Sequence, residues 1–578
     1  IAGVQLCTLV ARRKLLTRAR HGCETPDTKV LGTMLRNQRL SSASPVPRVM
    51  DRTPLSFWVL GFALVGYVAL CTAQRDRIWE ADAWEHDRAI RAFAGDPSMP
   101  GNPTYATAEP SIRYSLYTVA LAGLVRTTGL DAFDALSLAA VFNTALLILS
   151  VWLLLKRFGE PAAASCVLLV MVGLWGGPPG YANSYALADL PWHQVNPSAF
   201  SFPLILCVWA MSLHAEWASL PAMMVLSGVA LNCHPMTGAL GIYGLLLLAF
   251  SGPREQMSSQ LVRFLVVAAS SFVLCALWPL FDFVAALRSQ RDQAYWFNAG
   301  VVQLMLFTWC APALLGGVLA LVMVTRGSVR RCLLCAAGVV VITVFTLPLR
   351  SATIARFPMP GMIFVHIAIG VMVYESKIVE WQTWPARLRS VLETTRGAPP
   401  ARAIVELSIS GMIVFYTLPQ VVMIPMEWHL GKAYLAQLLG RSDENHPHLK
   451  PRFDRLLDRI VKPNDVVLSD ATTSWPIPSS SGKIVAAIHY EAFVDGQPGR
   501  LDDVRTFFGE SEAVDRTAIL DRYNVRYIVM NRAQTSLSVW QDLLHEQAVL
   551  RRENDLVLMS AERWREPRDE LASHIGSK

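Results

Sequence analysis

The densest grouping of chemically capable side chains is Glu80-Ala-Asp82-Ala-Trp-Glu85-His86-Asp87-Arg88, with four carboxylates in eight residues. If the stretch is helical, Asp82, Glu85, His86 and Ala89 share one face, because positions three and four apart are neighbours on a helix. Carboxylates crowded this closely repel one another unless a proton transfer or a cation makes use of them. The grouping therefore suits a general base or a divalent-metal site. The plainer alternative is a solvated polar loop that caps a helix. Further candidates are Glu109, Arg113 and Tyr117 within one short segment, Asp189 and His193 within another, and His234, where Pro235 and Gly238 mark a break between two apolar runs. Arg350 directly follows an apolar run and Arg356 stands close behind it. Arg350 is then at the depth of the membrane surface, either in a functional place or snorkelling from a helix end. His193 is either a ligand to metal or acceptor or a hydrogen-bonded loop residue, and His234 is either functional or a helix cap. Trp175, Tyr181, Tyr185 and Trp192 could stack on sugar faces or form an interfacial aromatic belt.

The elements that must position these residues are membrane helices. Of the 578 residues 53% are hydrophobic and 17% charged, against about 25% charge in a soluble protein. Apolar runs near 20 residues match the ~30 Å hydrocarbon core. The first covers about 55–73, and later ones fall at about 135–155, 160–177, 199–215, 219–233, 237–250, 264–282, 301–324, 332–349, 359–374 and 404–424. That makes about eleven spans. The apolar run 114–125 is too short to cross and reads as a helix lying along the interface. With the N-terminal tail inside, the inner loops are those with Lys156/Arg157, His214–Ala218, Arg254/Arg263, Arg326/Arg330/Arg331 and the set from Lys377 to Arg402, and all but one of them carry a basic excess or at least a basic pair, in line with the positive-inside bias. The C-terminal region then lies outside. This parity requires 219–233 and 237–250 to be two helices and not one bent one.

Residues 425–578 read as ordinary globular sequence. Strands are expected at 465–469, 483–488 and 525–530, and helices at 505–508 and 516–523, an α/β layout. This region has no cysteine, and Cys332 and Cys335, the one C-x-x-C pair, read as filler in a membrane helix. Residues 1–54 hold ten Lys/Arg and three acids, a basic cytoplasmic tail rather than a nucleic-acid-binding patch, which would need interleaved aromatics. Met34 and Met50 are alternative starts, so residues 1–49 are either translated or upstream sequence. No signal peptide is expected.

The order of these motifs resembles the GT-C glycosyltransferases, multi-span enzymes that use lipid-phosphate-linked sugars. Asp82, His86 and Ala89 fit that superfamily's D-x-x-x-(Y/H)-x-x-A pattern after the first helix. Glu109, Arg113 and Leu116-Tyr117 stand where it has a motif close to E-x-K-P-P-L-Y, although the Lys-Pro-Pro core is absent here. Asp189 stands where a second acidic loop occurs. Ser469-Asp470, Gly482-Lys483, Asp503-Val-Arg505 and 519–529 are similar to the outer domain of several bacterial members, the protein mannosyltransferase and aminoarabinose-transferase kind. The resemblance implies an α-helical polytopic domain over 55–424, a small extracytoplasmic α/β domain over 425–578, and an address in the inner (plasma) membrane. It also implies transfer of a sugar from a polyprenyl-phosphate donor to a glycan, lipid or protein acceptor on the outer face, with inversion and without nucleic acid. Asp82 would be the base, with Glu85 and Asp87 beside it. Glu109, Arg113, Tyr117, Asp189, His193, His234, Arg350 and Arg356 would bind substrate. A divalent metal ion remains open, with Asp82, Glu109 and Asp189 as candidate ligands. Two rivals are a multi-span transporter, which the near absence of mid-span charge disfavours, and a non-catalytic glycan-binding scaffold of the same fold.

Overall fold

The computed structural model describes residues 53–73, 82–107, 109–176, 185–214, 216–288, 308–322, 327–346, 356–376, 405, 408–418, 449–487, 491, 493–509 and 515–565. The basic tail up to residue 52, Glu80, Tyr181, Arg350 and the 377–404 loop lie outside the described residues.

Helix α1 (Leu55–Thr72) starts behind Pro54, whose fixed φ of −65° leads into the first turn. At 18 residues it is about 27 Å long, close to one hydrocarbon thickness. Helix α2 (Asp82–Gly95) holds Asp82, Glu85 and Asp87 of the acidic grouping. Helix α3 (Leu116–Thr128) is capped by the Ser115 hydroxyl, which accepts from the Thr118 amide, and is stopped by Gly129 at φ 73°. Only glycine takes that left-handed angle without strain. Its 13 residues are too few to cross a bilayer. Helix α4 (Ala132–Phe158) is capped by Asp131 and ends with Lys156 and Arg157 in its last turn, each charge favourable at its end of the helix dipole. Helices α5 (Ala164–Gly173), α6 (Pro197–Ser212), α7 (Leu220–Cys233), α8 (Pro235–Ser251), α9 (Arg254–Ala276), α10 (Ala311–Val322), α11 (Gly327–Thr346) and α12 (Ile363–Glu375) follow. Among the described residues five helices are long and apolar enough to cross a membrane, and six shorter apolar ones stand at the other expected spans.

Between α7 and α8, His234 is extended (φ −148°, ψ 95°). A Cβ on Gly238 would stand 2.3 Å from the Leu231 Cα. In a continuous helix, residues seven apart lie about 10 Å apart along the axis. The chain therefore turns back at His234, and α7 and α8 are two helices. Small residues set the other close approaches, as in membrane bundles generally. A Cβ on Gly370 of α12 would meet the α5 backbone at Val167 at 2.5 Å. Gly241 and Gly244 of α8 admit Ile205 and Trp209 of α6. Trp209 is wholly buried, donates its ring N–H to the Gly241 carbonyl at 2.8 Å and stacks on Phe364.

Residues 466–560 contain a five-stranded sheet in the order β2-β1-β3-β5-β4. Strands β1 (Val466–Leu468), β2 (Lys483–Ile484) and β3 (Tyr527–Asn531) are parallel, while β4 (Val549–Glu553) and β5 (Leu556–Ser560) form an antiparallel hairpin paired to β3. Helices α13 (Gln497–Phe507) and α14 (Arg516–Arg522) connect β2 to β3. The free edge of β2 is covered from a distant part of the chain. Tyr105 bridges Ile484 in parallel, and the Ile484 amide donates to the Thr104 carbonyl at 2.9 Å. This covering occupies an exposed strand edge and fastens the loop after α2 to the sheet.

The α6–α8 contact can be tested directly. A Cβ at Gly244 would lie 2.2 Å from the Trp209 ring, whereas one at Gly66 would meet nothing within 4 Å. Gly244→Val is expected to lower stability by about 1–3 kcal/mol, measured as a lower melting temperature in detergent. Gly66→Ala is expected to leave it unchanged or raised. Equal melting temperatures for wild type and Gly244→Val would contradict this packing.

Candidate active site

Helix α2 is enclosed on several sides, so polar residues from both of its faces are buried: Glu85, His86, Asp87 and Arg88 are each at most 3% exposed. A buried charge needs a partner, and the partners divide the helix in two. On one side the Glu85 carboxylate pairs with Arg113 and, at 3.5 Å, with Arg88. It also accepts from the Trp475 ring N–H at 3.1 Å, while Arg88 donates to the Trp475 carbonyl at 3.4 Å. On the other side Asp87 accepts from Arg91 at 2.8 Å, and Arg91 reaches on to Asp131 at 3.2 Å.

Arg113 is held in a turn in which Ser111 accepts from the Arg113 amide at 3.1 Å. The same Ser111 hydroxyl donates to Glu491, whose carboxylate lies 4.0 Å from the Arg113 Nε. Glu491 is fixed from behind: its amide donates to the Gln497 side chain at 2.9 Å, and Gln497 donates to the Tyr105 hydroxyl at 3.0 Å. Nearby, Lys483 donates to the Asn102 carbonyl.

The electrostatics follow from burial and these pairings. Burial works against the Arg113 charge, yet Glu85, Glu491 and Asp82 hold the guanidinium protonated well above the ordinary arginine range. Burial pushes the Glu491 carboxyl up, and Arg113 opposes it. Burial, then Arg88, brings the Lys483 ammonium down to about 8. His86 is held neutral, down to about 3, by burial and then by Arg113. His234 is also lowered to about 3, by burial and then by Arg356 and Arg113. The Thr237 amide and hydroxyl both meet the His234 Nδ1, at 3.2 and 2.7 Å. The Nδ1 is thus the acceptor and the proton sits on Nε2. His234 therefore caps α8 and also belongs to the cluster.

The cluster gathers Asp82, Glu85, His86, Arg113, His234 and Arg356 from four separate segments. Asp82 opens α2 half-buried, near enough to Arg113 for their charges to act on each other. Arg356 is half-buried and places Nη1 3.2 Å from the Met236 sulfur. Other expected residues stand apart. Asp87 faces Arg91, and Glu109 is exposed. Tyr117 is buried and donates to the Val195 carbonyl at 2.8 Å, and Asn143 donates to the Gln194 carbonyl at 2.8 Å, so both fasten the second loop. Asp189 and His193 are buried in that loop, at the start and the end of a helical turn that packs on α1. Burial holds His193 neutral, at about 4. Among the described residues no group of three or more His, Cys, Asp and Glu side chains could hold a metal. The carboxylates Glu85 and Glu491 are instead engaged by arginine.

Sequence reasoning gave no role to Arg88 or Lys483, although both stand inside stretches it singled out, and it passed over Trp475 and Glu491, which only the folded chain brings to α2 and Arg113. It also passed over His366, buried within α12 between the Tyr185 hydroxyl at 3.0 Å and the Leu174 carbonyl at 3.3 Å.

No family model matches the chain, and no curated protein matches it. Solved structures do. ArnT from Cupriavidus metallidurans bound to undecaprenyl phosphate is 16% identical over 89% of this chain and 100% of that one, with a TM-score of 0.49. The Archaeoglobus fulgidus oligosaccharyltransferase tethered to an acceptor peptide containing the NVT sequon is 12% identical over 82% of this chain and 69% of that one, with a TM-score of 0.45. Archaeal oligosaccharyltransferase AglB from Archaeoglobus fulgidus in complex with an inhibitory peptide and a dolichol-phosphate matches at 12% identity over the same shares, with a TM-score of 0.39.

The two neutral histidines make stability depend on pH. Each is near 3 when folded, against 6.5 for a free ring. Between these values the unfolded chain binds protons that the folded chain does not. Stability is therefore complete above about pH 6.5 and falls as pH drops toward 3, by at most about 1.4 kcal/mol per histidine per pH unit. The effect is smaller at the half-buried His234. Melting temperatures in detergent at pH 7.5, 6.5 and 5.5 should show the loss, and a His86→Gln/His234→Gln variant should show a shallower one. Identical slopes would mean that neither ring is held neutral.

Proposed function

We propose that the chain is a membrane glycosyltransferase of the GT-C kind. It transfers a sugar, with inversion, from a polyprenyl-phosphate donor to an acceptor hydroxyl at the outer membrane surface. The observation that carries this reading is the contrast within α2. Glu85 is locked between two arginines and a tryptophan, while Asp82, one turn earlier, is half-buried at the helix start beside Arg113. A base needs access to its proton donor, and an anion site needs fixed cations. Asp82 meets the first condition, and Arg113 with Arg356 meets the second. The motif order along the chain supports the same assignment.

In this mechanism the acceptor oxygen attacks the anomeric carbon while Asp82 takes the hydroxyl proton. The bond from that carbon to the phosphate oxygen breaks, and its electron pair leaves with the polyprenyl phosphate. The charge that develops there meets Arg113 and Arg356, which Glu85 and the turn at His234 position before the reaction. Because these donors are fixed in a largely buried site, little reorganisation is needed at the moment of transfer.

Asp82→Asn keeps the shape and removes the base. Transfer assayed with purified protein and a panel of polyprenyl-phosphate sugars should fall by about 10²–10⁴ in kcat, with donor KM within a few-fold of wild type. Undiminished turnover would sink the assignment of Asp82. The orientation is tested separately by impermeant thiol labelling of Arg500→Cys and Ser390→Cys in intact cells. Position 500 should label from outside and position 390 only after permeabilisation; the reverse pattern would place the cluster on the wrong face for this reaction.

A further inference from the structure

Glu491 is a second carboxylate on Arg113, and the proposed chemistry gives it a use beyond holding structure. We infer that Glu491, acting through Arg113, limits the positive field of the phosphate site so that the spent lipid phosphate is released. The inference rests on the reading that Arg113 meets the donor phosphate.

The reaction changes the charge on the lipid. The donor is a phosphodiester with one negative charge. Cleavage of the sugar–oxygen bond leaves the phosphate with that electron pair, and the acceptor proton goes to Asp82. The product is a phosphomonoester, which carries between about one and a half and two negative charges near pH 7. A site built only of fixed cations binds the product more tightly than the donor and is blocked by it. Arg113 has one direct ion-pair partner in Glu85. In its ionised form, which Arg113 favours against burial, Glu491 adds a second negative charge at 4.0 Å from Nε without a hydrogen bond to it. The contact therefore contributes field rather than grip. Geometry is supplied elsewhere: Glu85 and the Ser111 turn hold Arg113, and the Ser111 hydroxyl and the Gln497 side chain hold the Glu491 segment. The carboxylate is 5% exposed, so water screens it little. Arg88 and Glu85 are the other charges that act on it, and Tyr105 and Gln497 stand behind it.

Glu491→Gln removes the charge and keeps the shape, because the side-chain oxygen can still accept from Ser111 and the backbone contact to Gln497 is untouched. The measurement is the affinity of the purified full chain for undecaprenyl phosphate, together with inhibition of transfer by it. Glu491→Gln should bind it roughly tenfold more tightly, about 1.4 kcal/mol, and be inhibited at correspondingly lower concentration. Glu491→Asp, which keeps the charge, should stay near wild type. A purely structural role predicts the opposite sign, so equal or weaker binding by Glu491→Gln overturns the inference and leaves the proposed reaction standing. A second arm needs only wild-type protein, which should hold undecaprenyl phosphate no more than a few-fold more tightly than its singly charged methyl ester. A hundredfold preference for the monoester overturns the inference even if the variant does not fold. Wild type that binds neither lipid removes the donor reading, and the inference with it.

Discussion

The buried ion pair between Glu85 and Arg113 is the constraint around which the rest of this site is arranged. Taking two charges out of water is costly, and a buried pair is poor evidence of stability by itself. Once formed, however, it cannot be half-removed without leaving an uncompensated charge, at a cost of about 3–5 kcal/mol. The pair therefore dictates its surroundings. It requires the turn at Ser111 to present Arg113, Trp475 to satisfy the remaining carboxylate oxygen, and Arg88 to balance the charge. Asp82 and His86 are then placed by helix geometry, one turn before Glu85 and one residue after it. His86 is neutral because it is buried and, after that, because Arg113 stands nearby.

The membrane helices serve this arrangement by holding their ends in register. Glycines at 238, 241, 244 and 370 let backbones and large rings approach to distances that a Cβ would forbid. In lipid, where burying apolar surface gains little, such close packing is a main source of cohesion between helices. The turn at His234 is held by its Thr237 contacts and by the fit of Gly238 against Leu231. It brings a ring nitrogen to the cluster from the junction of two helices that carry no charged residue.

Much of this was legible in the sequence. Apolar runs located the helices, because a segment crossing a bilayer must be apolar along its length whatever it packs against. The run 114–125 was legible as a helix too short to cross, and the folded chain brackets it with Ser115 and Gly129. Three of the five strands were visible as β-branched runs, but the hairpin from Val549 to Ser560 was not, since its first strand, Val-Leu-Arg-Arg-Glu, is too polar to show the pattern. The acidic character of α2 was legible because carboxylates cannot be crowded without consequence. Which of them pairs with which cation was not, since Asp87 and Glu85 are equivalent until Arg91 and Arg113 choose between them. Glu491 and Trp475 carried no local signal, because their meaning lies in a contact across most of the chain's length.

That separation has a consequence for how the protein is made. Trp475 stands 390 residues after the Glu85 it satisfies. Ribosomes extend a chain by about 5–20 residues per second, so α2 exists for at least about twenty seconds before its partner emerges. During synthesis Glu85 and Arg113 face water or lipid headgroups without the sheet above them, and the loop at Tyr105 waits for the β2 edge that it later covers. The contacts of Glu85 and Arg113 are thus completed among the last events of synthesis, and a chain stalled before residue 475 would hold the acidic helix without its tryptophan or the second carboxylate on Arg113.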